Sequence, residues 1–468
     1  MKKVFVLVLA ACMLLILAAC GGGPGGAPVV PLTQHAPLAA AVSNVHNTPA
    51  HSVQTALSTP APAMRVRYPI ARQTASEITF HPIHVNEDGI YSASLRFANN
   101  TDQAIQMNLY INHALDRTLT FVPTASFPDG RLLLTIGLPL TAGNNTVTFR
   151  PYTPGQFIYL NYMEVAKSST IKMFIVAHPD DELLLYAGSI LTALRSGYTV
   201  KVVVITNGNF RSATLGLTRI IELQNGLLEL GLHPASLIIF GYPDAHLRYL
   251  YGPNFDTPRV IPYLRSPVHA YGNHSVGLPD FGFAHRGTSS LLNGRSVTDD
   301  IKRVLLEFRP TTIYTHMVYD GHSDHNNTYR FVIQALRELN ADEEIEFLPT
   351  LNATILGFPP AGGMGWSNLN LARWANHWPF DAPRPSGEID NTQWPFPPLP
   401  YFDTRTSLYW ADRVVVPMTD EMIALKRAAL NHHITQGGAA VFSQLIRIEE
   451  FYWTLDLEAI LAEDAANP

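Results

Sequence analysis

Ile171-Lys172-Met173-Phe174-Ile175-Val176-Ala177-His178-Pro179-Asp180-Asp181-Glu182 is the stretch on which the reading of this chain turns. Its first six residues form a near-continuous apolar run, as expected of a strand buried on both faces. The run leads directly into three consecutive carboxylates at the head of a predicted helix, 182–194, which Gly197 stops. A nucleotide-binding sheet places a glycine-rich turn at this point. Carboxylates here would repel a pyrophosphate, whereas the positive end of a helix tolerates them and a cation would seek them. The pattern then repeats: a buried strand at 200–205, a helix at 217–230 ended by Gly231, and a strand at 237–240. After a long loop, Ser296 is the expected cap of a helix at 297–308, with Asp299 completing a capping box, and Ile313-Tyr314 begins another strand.

Strands alternating with helices predict an α/β domain over 167–468, a Rossmann-like, mostly parallel sheet with helices on both faces. Ligands of such sheets bind beyond the carboxyl ends of the strands. A second polar cluster lies at a later strand end: His316, then Asp320-Gly321-His322-Ser323-Asp324-His325. A lone histidine is usually a satisfied or surface imidazole, but two such clusters at two strand ends of one sheet can share a pocket. Imidazole and carboxylate without thiolate suit zinc in a catalytic site, where three protein ligands leave a position open. Iron or cobalt could use the same donors.

Upstream the period changes. Alternating runs at 90–97, 105–111, 131–138 and 145–149, separated by turns such as Asn99-Asn100-Thr101-Asp102 and Ala142-Gly143-Asn144, predict an all-β sandwich over 64–166. Before it, Lys2 and Lys3 precede an apolar run at 4–19 that ends in Leu17-Ala18-Ala19-Cys20. Six residues of Gly and Pro follow, and 27–63 is rich in Ala, Pro, Ser and Thr, so 20–63 reads as a flexible tether. Composition narrows the function classes. Of 468 residues only 15% are charged and the net charge is −6, which argues against a nucleic-acid partner. Both cysteines fall in the first twenty residues, so no disulfide framework is available to the folded part.

Three family resemblances follow from these motifs. Leu17 to Cys20 resembles the lipobox of bacterial lipoprotein signal peptides. This implies removal of 1–19, lipidation of Cys20, export, and a membrane anchor at the cell envelope. The sandwich resembles carbohydrate-binding modules of families six and thirty-five at Asp88-Gly89-Ile90-Tyr91, Leu109-Tyr110-Ile111-Asn112, Leu140 to Val147 and Leu160 to Val165. Such modules stack loop aromatics on sugars, a role open to Phe121, Phe127, Tyr152 and Phe157 if they do not pack the core, while Tyr91 and Tyr162 are expected in the core.

The α/β part is similar to the PIG-L/LmbE-like zinc-dependent N-deacetylases. His178 to Glu182 matches their first motif without change and His322 to His325 their second. Thr206-Asn207-Gly208, Arg219-Ile220-Ile221-Glu222, Gly241-Tyr242-Pro243-Asp244 and Lys426 to Gln436 follow in order. By that resemblance His178, Asp181 and His325 would hold zinc and Asp180 would be the general base. His322, oriented by Asp324, would stabilise the oxyanion and protonate the leaving amine. Glu182 suits a helix-end or supporting role. Arg219, Asp244 and His433 are candidate substrate contacts, with a salt bridge as the other role for Arg219. The insertions at 242–295 and 358–403 exceed what the fold needs, and the second holds Trp366, Trp374, Trp378 and Trp394. The expected activity is removal of an N-acetyl group from an amino sugar in a glycan. The alternatives are a non-catalytic glycan-binding lipoprotein and hydrolysis of a different amide or an ester.

Overall fold

The computed structural model describes residues 65–124, 132–210, 212–264, 266–316, 322–341, 354–357, 410–441, 446 and 449–455. The expectations for Cys20, the 20–63 tether, Phe127, Asp320 and the four tryptophans of 358–403 lie outside the described residues.

Nine strands make the sandwich: β1 (Arg65–Pro69), β2 (Arg72–Gln73), β3 (Ile78–Val85), β4 (Gly89–Ala98), β5 (Ile105–Ile111), β6 (Ala114–Phe121), β7 (Leu132–Leu140), β8 (Gly143–Pro151) and β9 (Tyr159–Ala166). They form two antiparallel sheets, β1-β9-β4-β7 and β2-β3-β8-β5-β6. The period of two is plain in β5, where Ile105, Met107, Leu109 and Ile111 are buried and the residues between them face outward. Between the sheets, Phe97 meets Phe121 edge to face with ring centres 5.0 Å apart, and Phe121 meets Phe149 at 6.2 Å. Phe121 is therefore a core residue, unavailable for sugar stacking, because its strand points it between the sheets. Tyr91 is buried as expected, its hydroxyl donating to the Glu87 carbonyl. Tyr162, expected in the core, is half-buried under the Arg67 guanidinium on the outer face. Phe157 packs partly against the core, and Tyr152 is exposed.

Ala166 closes β9 and Ile171 opens β10 (Ile171–Val176). Then come α1 (Asp181–Arg195), β11 (Thr199–Thr206), α2 (Ala213–Glu229), β12 (Leu237–Tyr242), α3 (Gly294–Phe308), β13 (Thr312–Thr315), α4 (Ser323–Ala341) and β14 (Thr354–Gly357). The last described elements are β15 (Trp410–Pro417), α5 (Asp420–Leu430) and β16 (Glu449–Leu455). The sheet order is β12-β11-β10-β13-β14-β16-β15. Pairings from β12 through β14 are parallel, and β16 runs antiparallel to both its neighbours. Every residue of β11 and β12 is buried, the signature of strands covered on both faces.

Two helices begin earlier than their patterns suggest. Ser212 caps α2 by accepting the Leu215 N–H, so the helix gains a turn before Leu217. Asn293 caps α3 by accepting the N–H of Ser296, the residue expected to be the cap itself. In both cases the polar residue with extended backbone starts the helix, whatever the apolar period does.

The sandwich and the α/β layer meet through polar contacts. Glu307 of α3 accepts from Arg117 of β6 at 2.6 Å and from the Gly137 N–H of β7 at 2.7 Å. Gly137 has no room for a side chain, because a Cβ would stand 1.9 Å from the Glu307 carbonyl oxygen. Glu164 of β9 pairs with His233 at 2.9 Å.

Candidate metal centre

Strand β10 has β11 on one side and β13 on the other, so the chain order reverses there. The carboxyl edge at such a reversal is where open α/β sheets bind ligands. His178 to Asp181 leave β10 at this edge, His316 leaves β13, and Asp324 and His325 open α4. The two clusters, 147 residues apart in the chain, therefore meet.

His178 Nδ1 lies 3.1 Å from His325 Nε2 and 3.3 Å from Asp181 Oδ2, and His325 Nε2 lies 3.3 Å from Asp181 Oδ1. Zinc bonds of about 2.0–2.2 Å at tetrahedral angles put ligand atoms about 3.3–3.6 Å apart. The two imidazole nitrogens thus stand at ligand spacing from each other, and each stands at ligand spacing from one oxygen of the Asp181 carboxylate, Oδ2 for His178 and Oδ1 for His325. A second observation supports the fit. Asp181 Oδ2 accepts the His178 N–H, but Asp181 Oδ1 is buried with no hydrogen-bond donor among the described residues. The carboxyl is held well below the usual range; burial opposes this, and the imidazoles of His325 and His316 overcome it. A buried carboxylate flanked by the imidazoles of His178, His316 and His325 could hold a cation.

His178 is oriented from its other nitrogen. Its Nε2 lies 3.2 Å from Asp244 Oδ1 and 3.4 Å from Asp324 Oδ2, so a proton there leaves Nδ1 as the donor. Burial pulls its pKa down, but Asp244 and Asp181 raise it well above the ordinary value. A cation at Nδ1 would take the place of that extra proton.

The supporting backbone is strained where it serves the site. Asp180, the N-cap of α1, has φ 143°, and Ala245 has φ 63°. Ala245 in this conformation aims its N–H at Asp324 Oδ2, 2.6 Å away, while Leu247 N–H reaches Oδ1 at 3.1 Å. Gly208 (φ 61°) must be glycine, because a Cβ would lie 2.9 Å from Arg219 Cδ and 3.1 Å from Pro179 Cδ.

The remaining candidates sort by contact. Asp180 is buried beside Asp181, and burial first, then that neighbour, pushes its pKa up to about 7. His322 Nδ1 accepts the Asp324 N–H at 3.3 Å, so Asp324 reaches it through the backbone while its carboxylate serves the 245–247 backbone and His178. That bond leaves the proton of a neutral His322 on Nε2. Burial, with His325 and His178 nearby, lowers the His322 pKa to about 4. Asp244, expected to contact substrate, is held by His178 and by the Asn209 side chain, which accepts its N–H. Arg219 donates to the Gly208 carbonyl at 2.7 Å and stands 3.9 Å from Asp244. His433, also expected at the substrate, is fully buried and pairs with Gln436 at 3.0 Å. Glu182 accepts the Asp180 N–H at 3.0 Å, a supporting role.

Sequence reasoning did not assign roles to His316, Asn209 or Gln436. His316 Nε2 accepts the Ala177 N–H at 2.9 Å and its ring stacks on His325 at 4.0 Å. Gln436 donates to Asp180 Oδ2 at 2.6 Å. His316 heads the second polar cluster and Gln436 ends the matched stretch Lys426 to Gln436, so their places in the chain marked both without giving a role.

Residues 173–336 match the PIG-L family, described as GlcNAc-PI de-N-acetylase. The PIG-L segment contains every donor atom of the centre and excludes His433 and Gln436. No curated protein matches the chain. Among solved structures, a zinc-inhibited form of teicoplanin deacetylase Orf2 is 17% identical, with TM-score 0.35, covering 61% of this chain and 98% of that one. The N,N'-diacetylchitobiose deacetylase of Pyrococcus horikoshii is 14% identical, with TM-score 0.33, covering 58% and 73%. A family 35 carbohydrate-binding module from an environmental isolate is 20% identical, with TM-score 0.18. The similarity covers 19% of this chain and 64% of that module.

Proposed function

We propose that the protein is a zinc-dependent N-deacetylase acting on an N-acetylated amino sugar within a glycan or glycoconjugate. The observation that carries this reading is the buried cluster of His178, Asp181 and His325 at ligand spacing, with the carboxyl of Asp180 beside it. The family description of residues 173–336 supports the bond type, and the sequence resemblance of the sandwich to carbohydrate-binding modules supports a sugar substrate.

A divalent ion held there would acidify a water molecule and polarise the amide carbonyl. The other roles belong to the chain. Asp180 takes the proton from the attacking water, a step that favours a base whose pKa lies near the working pH. His322, neutral at pH 7, donates its Nε2–H toward the oxygen that gains charge. Since His322 carries no extra proton, Asp180 returns the one it took to the departing amine. Asp324 and Asp244 keep His178 in the tautomer the ion needs.

For the place of action, we propose an exported lipoprotein anchored through Cys20, on the strength of Lys2, Lys3 and the Leu17-Ala18-Ala19-Cys20 ending. Among the described residues no helix is long and apolar enough to cross a membrane. Mass spectrometry of the N-terminal peptide tests the anchor: a lipid-modified Cys20 is expected, and an intact segment 1–19 would refute it.

Acetate release from N-acetylglucosamine oligosaccharides tests the activity. It should stop when a chelator strips the metal and return with zinc. Metal-independent release, or none from any acetylated amino sugar by the zinc-loaded protein, would overturn the assignment.

A further inference from the structure

The PIG-L match ends at residue 336, yet a residue a hundred positions later touches the base. Gln436 sits at the end of a single 3-10 turn, Ile434–Gln436, that follows α5. Its side-chain amide donates to Asp180 Oδ2 at 2.6 Å. An ionised carboxylate only accepts, so the NH2 end must face Asp180 and the amide oxygen must face away. His433 meets that requirement, since its Nδ1 lies 3.0 Å from Gln436 Oε1 and can donate to it.

The turn is itself clamped. Glu222 of α2 accepts the Thr435 N–H at 2.9 Å with one oxygen and the Thr435 hydroxyl at 2.6 Å with the other. Gly226, one helical turn further on, lets His433 come close, because a Cβ there would lie 3.2 Å from His433 Nε2. His433 is fully buried, and Glu222 nearly so.

We infer that Gln436 is a positioning residue for Asp180: it holds Oδ2 and so leaves Oδ1 to face the attacking water. A free carboxyl rotates about its last bond and offers either oxygen. The amide removes that freedom, and the Glu222–Thr435 clamp fixes the amide. The inference rests on the reading of Asp180 as the base.

Replacing Gln436 by Met keeps the length and removes the donor. A base misplaced by about 1 Å can cost up to about 10²-fold in rate. We expect Gln436→Met to lower kcat about 10- to 100-fold, with KM and bound zinc within twofold of the parent. The double variant with Asp180→Asn should be no slower than Asp180→Asn alone. A crystal structure of Gln436→Met should show the Asp180 carboxyl turned from its present orientation. Thr435→Val, which only loosens the clamp, should give a smaller loss of the same kind and serves if the first variant misfolds. Unchanged kcat in both variants, or losses that add in the double variant, would overturn the inference. If Asp180→Asn alone keeps full turnover, the assignment of the base has failed, and this inference with it.

Discussion

The sandwich and the carboxyl edge of the α/β sheet use burial in opposite ways. Between the sandwich sheets lie Phe80, Phe97, Phe121, Phe149 and aliphatic side chains. The polar groups buried nearby, such as Asn99 and Asn145, donate to backbone carbonyls of their own loops and of neighbouring strands. At the sheet edge, His178, Asp180, Asp181, Glu182, Asp244, His316, Asp324 and His325 are buried within a few ångströms of one another. Apolar burial of the first kind stabilises the fold. Desolvating charges costs free energy, and the strained backbone at Asp180 and Ala245 adds to that cost. The sandwich core therefore adds stability, while the buried charges at the sheet edge subtract from it.

Substitutions at the two places should separate these effects. Asp180→Asn is isosteric and removes a buried charge next to Asp181. It should lower kcat by about 10²–10⁴-fold while leaving the melting temperature unchanged or higher. Retained turnover, or a destabilised variant, breaks the contrast. Phe121→Ala opens a void against Phe97 and Phe149. It should cost about 3–5 kcal/mol in denaturant unfolding, with kcat per folded molecule unchanged. The pH profile of kcat/KM should show an acid limb above the ordinary aspartate value of 3.8 and no higher than about 7, since burial raises the Asp180 pKa and a bound cation lowers it again.

Acid should also loosen the α/β half. Burial holds the His433 pKa at about 4, below the ordinary 6.5. Between those values the unfolded chain binds more protons than the folded one, so stability falls as pH drops from 6.5 toward 4. The share that falls to His433 is at most about 3 kcal/mol. Urea unfolding at pH 7 and pH 4.5 measures the total, and His433→Gln should shrink the difference, the remainder belonging to other buried histidines such as His322. An equal slope in that variant would show that His433 is not the group responsible.

Much of this was legible in the chain. A near-continuous apolar run leading into His178-Pro179-Asp180-Asp181-Glu182 marks both a buried strand and two of the three candidate donors. The sandwich could be read wherever strands alternate, as in β5. What escaped has physical causes. Strand β1, Arg65–Pro69, has no buried residue and hence no alternating apolar signal. Lys201 lies mid-strand in β11, buried against the Ala235 carbonyl and the Phe308 ring, contacts that only the assembled layers create. The roles of Asp244, Asp324 and Gln436 depend on which neighbour each side chain meets, and spacing along the chain does not encode that.

The smallest expected effect concerns the seam where the two halves meet. Glu307 is carried by α3 yet satisfies two donors of the sandwich, the Arg117 guanidinium and the Gly137 N–H. Glu307→Ala leaves both without that acceptor in a place where Gly137 is pressed against the helix backbone. Arg117 keeps the Gly137 carbonyl and Asp116, but the Gly137 N–H loses its partner, which costs about 1–3 kcal/mol. If the sandwich were loosely tethered, water would replace the carboxylate and nothing measurable would change. A loss of about 1–3 kcal/mol in one cooperative transition, with kcat unaltered, would show that the halves unfold together and that the sandwich stabilises the sheet bearing the metal centre. Two separate transitions in the variant, or a fall in kcat, would mean that stability and chemistry are not divided along this line.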